Sequence, residues 1–217
     1  MYVVRLANLA IRYSLSTMQT GKTTINPSEL PTALIAQGRH WANTQQLARM
    51  TGQHGAVLHT SLSRLIRQRR MFTPARGLYV VVPPEYRGWG VAPADWFIDA
   101  MMSHLKRSYY VGFLNAAAMY GAAHQAPQTF RAVVSSPLKD RDINRVRLRF
   151  TASDRVSEMA VEQHTVHTGY VAVATRETTA VDLAWRPELG GGLSNVATVL
   201  KELGELDGTQ LARMAEH

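Results

Sequence analysis

The chain has 217 residues, a formal net charge of +8 and no cysteine. Its length allows one large domain or two small ones, and the absence of thiols excludes a disulfide framework and a thiolate zinc site. No run approaches the roughly 20 apolar residues that a membrane helix needs. We therefore expect a cytoplasmic protein with neither a membrane nor a cofactor as a partner.

The positive charge lies in the first half of the chain. Residues 1–90 contain 11 Lys or Arg and 2 Asp or Glu, a balance of +9, whereas residues 91–217 contain 13 and 14, a balance of −1. No acidic residue lies between Glu29 and Glu85. This asymmetry indicates one part of the chain that binds a polyanion and one part with a different function. A solvated basic surface without a ligand is the alternative.

Residues 1–25 are interpreted as an extension. Arg5 and Arg12 interrupt its apolar stretch and no clean cleavage site follows, which argues against a signal peptide. The stretch GKTT at 21–24 resembles the end of a phosphate-binding loop, but Ser16 stands where that loop needs its first glycine. We expect no nucleotide site there.

Residues 26–84 predict a winged helix-turn-helix domain that binds DNA. Pro27 is suited to a helix start and Gly38 to a helix end, and Asn43 or Thr44 can cap the second helix. Gly52 and Gly55 bracket a tight turn before the third helix, as in helix-turn-helix motifs. The predicted elements are a helix over 27–37, an extended segment over 40–42, helices over 44–52 and 56–70, and a β-hairpin over 71–83 that turns at 74–77.

The third helix carries the candidate recognition surface. Leu58, Leu62, Leu65 and Ile66 follow the helical period and predict a buried face, whereas short polar groups and arginines occupy the opposite face. Such groups reach phosphates and base edges in a DNA groove, and an arginine at the tip of the wing can enter a minor groove. The candidate DNA-binding residues are Thr44, Gln45, His59, Thr60, Ser63, Arg64, Arg67 and Arg76.

Residues 85–93 are rich in Gly and Pro and predict a linker. Residues 94–217 then predict a small α/β domain in which helices pack a mixed or antiparallel sheet, so that the whole chain is of the α+β class. Arg145, Arg147 and Arg149 alternate with apolar residues on one strand. They form either a solvated strand face or a second basic patch that contacts DNA or an acidic partner.

Three stretches resemble a known family: GLYVVVP at 77–83, YYVGFLNAAAMYGAAHQAPQTFRAVVSS at 109–136 and TRETTAVDLAWRPELGGGLSNVATVLKEL at 175–203. They are similar to the AbiEi-type antitoxins, which are transcriptional regulators of bacterial type IV toxin–antitoxin operons, and the resemblance runs from about residue 26 to about residue 206. It implies an N-terminal winged helix that represses its own operon by binding promoter DNA, with inverted repeats the expected site. It also implies a C-terminal domain that counteracts a nucleotidyltransferase-like toxin.

No catalytic or metal-binding residue is expected, and the chain is interpreted as a protein that is not an enzyme. His164 and His167 are three residues apart, which on a strand places them on opposite faces. Asp140 and Asp142 lie among basic residues and suggest a charge-paired loop. The alternatives are a nucleic-acid enzyme with an atypical site, a winged helix that docks another protein, and a transcriptional regulator without antitoxin activity.

Overall fold

The computed structural model describes residues 24–123 and 127–216. Residues 1–23 of the predicted extension, with most of the GKTT stretch, lie outside the described residues, as do His124, Gln125 and Ala126 of the family-like segment. The first part of the chain begins with a 3₁₀ turn at Pro27–Glu29. It continues through α1 (Leu30–Ala36), β1 (Trp41–Asn43), α2 (Thr44–Thr51), α3 (Gly55–Arg67), β2 (Met71–Ala75) and β3 (Leu78–Val81).

Local hydrogen bonds fix the start and the end of α2. The side chain of Asn43 accepts a hydrogen bond from the Gln46 N–H at 2.9 Å, and the Gln46 side chain accepts one from the Asn43 N–H at 2.8 Å. This reciprocal pair is a capping box, which satisfies two backbone donors. Gly52 ends the helix in the left-handed region, with φ of 69°, where glycine pays no steric cost.

The strands β1, β2 and β3 form an antiparallel sheet with the order β1-β3-β2. The predicted turn of the hairpin is shorter than expected, because Pro74 and Ala75 belong to β2 and only Arg76 and Gly77 make the turn. The helix α3 also ends at Arg67 rather than residue 70. The reason is local: Arg69 takes a φ of 54°, and the chain turns there into β2.

The helices α1, α2 and α3 enclose a small hydrophobic core. The predicted inward face of α3 is confirmed for Leu58, Leu62 and Leu65, which are at most 2% exposed, whereas Ile66 is half-buried. Ile35 of α1 lies outside this core and is 43% exposed. The core is completed by Leu30, Leu34, Ala42, Leu47, Ala48, Met71 and Val81.

The second part of the chain begins with α4 (Ile98–Leu105) and forms a larger sheet. Its further elements are β4 (Tyr109–Val111), α5 (Phe113–Met119), β5 (Phe130–Val134), β6 (Arg141–Ile143), β7 (Val146–Ala152), β8 (Val161–Val166), β9 (Gly169–Ala174), α6 (Arg176–Trp185), α7 (Leu193–Glu202) and α8 (Gly208–Glu216). The strand order is β6-β7-β5-β4-β9-β8. The pairs β4–β9 and β5–β7 are parallel and the others are antiparallel.

The α+β class with a mixed sheet is therefore confirmed, with helices packed on the sheet. The strand β6 is only three residues long, and the helix α8 is mostly exposed, with Met214 as its buried residue. Among the described residues, every helix is too short or too polar to cross a bilayer.

Part of the predicted linker over residues 85–93 is packed: Gly90, Val91 and Ala92 are buried, whereas Glu85, Arg87, Gly88 and Trp89 are exposed. Val91 and Ala92 are 0% and 1% exposed, and they belong to a large core that includes residues of both halves. Phe72 of β2 meets Phe97 edge to face, with 5.0 Å between the ring centroids. The Gly and Pro residues of this segment form turns next to this core. One face of the hairpin is buried against the second half.

Candidate nucleic-acid interface

The exposed face of α3 presents two arginines close together. Thr60, Arg64 and Arg67 are all exposed, and their spacing places them within about 60° of one another around the helix axis. Leu58 and Leu65 lie on the opposite side, in the core. Burial of the leucine face therefore fixes the rotation of the helix and turns the arginines outward.

Arg64, Arg67 and Arg76 have no carboxylate partner among the described residues. The ion pairs formed there involve Arg149, His164 and Arg186 instead. Three exposed guanidinium groups without counter-charges make a surface that attracts phosphates, since binding releases the counterions of the polyanion.

A groove of about 500 Å³ lies between α3 and the hairpin turn. Thr44, His59 and Arg76 line it together with Gly55 and Tyr79, so the structure brings these three candidate residues together. The other candidates lie beside it or around the helix: Thr60, Arg64 and Arg67 on the exposed face of α3, Ser63 half-buried, and Gln45 exposed in the first turn of α2.

Thr44 has a structural task that the sequence did not show. Its backbone N–H donates to the Gly77 carbonyl oxygen at 3.0 Å, and its hydroxyl donates to the same oxygen at 3.3 Å. The side chain therefore ties the start of α2 to the hairpin turn. Because its only hydroxyl hydrogen is used inside the protein, Thr44 can offer a ligand an acceptor but not a donor.

The hairpin is also held from the second half of the chain. The ring Nε2 of His104 in α4 lies 2.9 Å from the Arg76 carbonyl oxygen, and the Arg141 guanidinium donates to the Pro74 carbonyl oxygen. Sequence reasoning missed both residues, because 28 and 67 positions separate the partners and no local pattern marks them. The position of Arg76 thus depends on both parts of the protein.

The three arginines of the possible second patch do not share one open face. Arg149 lies 3.5 Å from an Asp140 carboxylate oxygen and 2.6 Å from one of Asp142. Arg145 is outside β7, in the turn after β6, with its guanidinium 5.6 Å from the Trp89 ring centroid. Arg147 is exposed. The strand alternation was correct for Arg147 and Arg149, but cross-strand carboxylates neutralise the latter.

The histidines of the second half form contacts within the protein. His164 meets the Tyr120 ring edge to face at 5.1 Å, and His167 stacks on Trp96 at 4.1 Å. Within residues 24–123 and 127–216, no group of three or more His, Asp or Glu side chains is arranged to hold a metal ion.

Comparisons with known proteins place the second half in a family. Residues 110–217 match the family model of the AbiEi antitoxin C-terminal domain. The fold is similar to the crystal structure of RV2827C protein from Mycobacterium tuberculosis, with a TM-score of 0.51 and 14% sequence identity over 86% of this chain and 78% of that one. A comparison with curated proteins finds no match. The domain that forms most of the larger sheet thus identifies the chain as a member of the AbiEi antitoxin family.

Proposed function

We propose that this protein is a cytoplasmic transcriptional repressor and antitoxin of a type IV toxin–antitoxin operon. In this proposal residues 26–84 form a winged helix-turn-helix that binds inverted repeats in its own promoter, with α3 as recognition helix and the β2–β3 hairpin as wing. The C-terminal domain counteracts a nucleotidyltransferase-like toxin encoded beside it. No step of this function requires the protein to be an enzyme.

One observation carries the DNA-binding part of the proposal. Arg64 and Arg67 point outward from α3, and Arg76 lines the groove beside the same helix. All three lack carboxylate partners among the described residues. A helix of this kind fits a major groove while an adjoining hairpin reaches the backbone or the minor groove.

The antitoxin part is supported by the family of the C-terminal domain. The tight packing between the halves adds a structural reason to treat the two activities together. Phe72 of the hairpin and Phe97 of the second half belong to one core. A toxin that shifts the second half on binding would therefore also disturb the hairpin.

The test uses the purified full-length chain and a labelled fragment of its own promoter. Fluorescence anisotropy is measured at several salt concentrations, with an unrelated fragment of equal length as the control. We expect tighter binding to the promoter and a linear fall of log affinity with log salt. Equal affinity for both fragments would refute sequence-specific repression.

The antitoxin activity is tested separately in cells that express the neighbouring toxin gene from an inducible promoter. Co-expression of the full-length chain should restore growth, and a variant impaired only in DNA binding should restore it equally when both genes are on foreign promoters. Continued growth arrest with the soluble wild-type chain present would refute the antitoxin role.

A further inference from the structure

A pocket of about 870 Å³ opens in the C-terminal domain, on the side formed by α6, α8 and the end of β7. This size is within the range of small-molecule sites. Its walls include the apolar side chains of Phe113, Val133, Met159 and Met214. Every residue that lines it lies between Tyr110 and Glu216, so the pocket belongs to the second half of the chain and not to the groove beside α3.

A buried carboxylate lines this pocket. Asp182 of α6 is only 6% exposed, and its Oδ1 accepts a hydrogen bond from the Tyr110 hydroxyl at 3.3 Å. Its Oδ2 is buried and has no hydrogen-bond partner among the residues that the structure describes. A carboxylate offers about four acceptor positions, and an unfilled acceptor at this depth costs folding free energy. A ligand that brings a donor would remove that cost.

Backbone strain is found at the same place. Phe113 lines the pocket and has a φ of 56°, a conformation that bulky side chains rarely adopt. It follows Gly112, at which a Cβ would lie 3.0 Å from Asp182 Oδ2. Strained residues cluster at ligand sites, and here the strain and the unsatisfied oxygen are neighbours.

The charges around the pocket favour a cation. The charged residues that face Asp182 across it are Asp154 and Arg155 after β7, Arg186 after α6 and Glu216 of α8. Arg186 forms an ion pair with Glu188 at 2.5 Å, so its charge is already compensated. With Asp182 ionised, the carboxylates of the pocket therefore exceed the free cations.

We propose that this pocket is a binding site for a small organic cation, an amine or amidine attached to an aromatic body. Its charged nitrogen donates to the Asp182 carboxylate, and its ring packs among Phe113, Met159 and Met214. This site goes beyond DNA binding and antitoxin activity and depends on neither of them.

The experiment uses the full-length protein and three probes of similar shape. 2-Phenylethylamine is the cation, 2-phenylethanol its neutral isostere and 3-phenylpropanoate an anion. Affinity is measured by titration calorimetry, and amide chemical-shift changes in the NMR spectrum locate the site. The variant Asp182→Asn keeps the shape of the side chain but removes its charge. Asp154→Asn removes one negative charge from the same pocket as the matched control.

We expect the amine to bind and to shift amides around the pocket, and the alcohol and the anion to bind more weakly. Asp182→Asn should weaken amine binding at least about tenfold, the loss of a charge-assisted hydrogen bond, whereas Asp154→Asn should change it about twofold or less. Since burial raises the pKa of Asp182 to about 7, amine affinity should rise between pH 6 and pH 8 in the wild type. It should stay flat in Asp182→Asn.

Three results would overturn the site. The first is no chemical-shift change at the pocket with millimolar amine, and the second is equal binding of amine and alcohol. The third is an unchanged affinity in Asp182→Asn. If that variant fails to fold, the pH dependence of the wild type decides: an amine affinity that does not rise from pH 6 to pH 8 refutes the role of the carboxylate.

Discussion

The imidazole of His104 donates a hydrogen bond to the backbone carbonyl of Arg76, with 2.9 Å between Nε2 and the oxygen. This contact joins α4 of the second half to the tip of the hairpin. Thr44 of α2 donates two hydrogen bonds to the neighbouring carbonyl of Gly77. The hairpin turn is therefore positioned by two elements that are distant in sequence.

Removal of the His104 contact should weaken binding to promoter DNA without unfolding the protein. In His104→Ala the turn loses one of its anchors, and Arg76 must be ordered on binding, which costs side-chain entropy. We expect a loss of affinity of about threefold to tenfold, equivalent to the net value of one hydrogen bond. Ser103→Ala, an exposed position on the same helix, is the control. Equal affinity of both variants and wild type would show that the contact does not position the wing.

The core that both halves share should make unfolding cooperative. Phe97 is 1% exposed and packs against Phe72 of the hairpin. Phe97→Ala should lower the free energy of unfolding by about 3–5 kcal/mol, as measured by urea unfolding. Circular dichroism and tryptophan fluorescence should report one coincident transition in the wild type. Two separate transitions would show that the halves fold independently.

The ionisation of Asp182 should appear in the pH dependence of stability. Burial raises the pKa of this carboxyl to about 7, far above the unfolded value of about 3.9. The folded state then holds the proton more tightly, so the contribution of this group is most favourable below about pH 4 and is lost as pH rises through about 7. The wild type should lose a few kcal/mol of stability from this group over that interval.

The variant Asp182→Asn isolates this effect, because the amide has no charge at either end of the range. Urea unfolding of wild type and variant is compared at pH 5 and pH 8. The stability of Asp182→Asn relative to wild type should improve from pH 5 to pH 8, while Asp154→Asn shows no such gain. A relative stability that is independent of pH would mean that the carboxylate is ionised in the folded protein without cost.

The sequence predicted features that depend on neighbours along the chain. The three helices, the capping by Asn43 and the buried face of α3 all follow from local periodicity and turn chemistry. The burial of Val91 within the predicted linker could not be read from the sequence, because Gly and Pro indicate backbone turns, whereas burial depends on contacts with other elements. The pairing of Arg149 with Asp142 was missed for the same reason, since it requires β6 to pair with β7.

Family resemblance and local pattern identified the C-terminal domain, but they could not reveal its pocket. Asp182 lies within a helical stretch, and its sequence neighbours give no sign that Tyr110, 72 positions away, supplies its hydrogen bond. The contact of His104 with Arg76 has the same character. Sites formed by several distant elements became visible only in the folded chain.

The most direct test of the central claim compares two double variants that lose the same charge. Arg64→Ala/Arg67→Ala changes the exposed face of α3, whereas Lys201→Ala/Arg213→Ala changes exposed residues of α7 and α8. Affinity for the promoter fragment is measured by fluorescence anisotropy at several salt concentrations. We predict that the first variant loses at least about tenfold in affinity and that its salt slope falls by about 1–2, with the second close to wild type. Equal affinities and salt slopes in the two variants would contradict DNA recognition through α3.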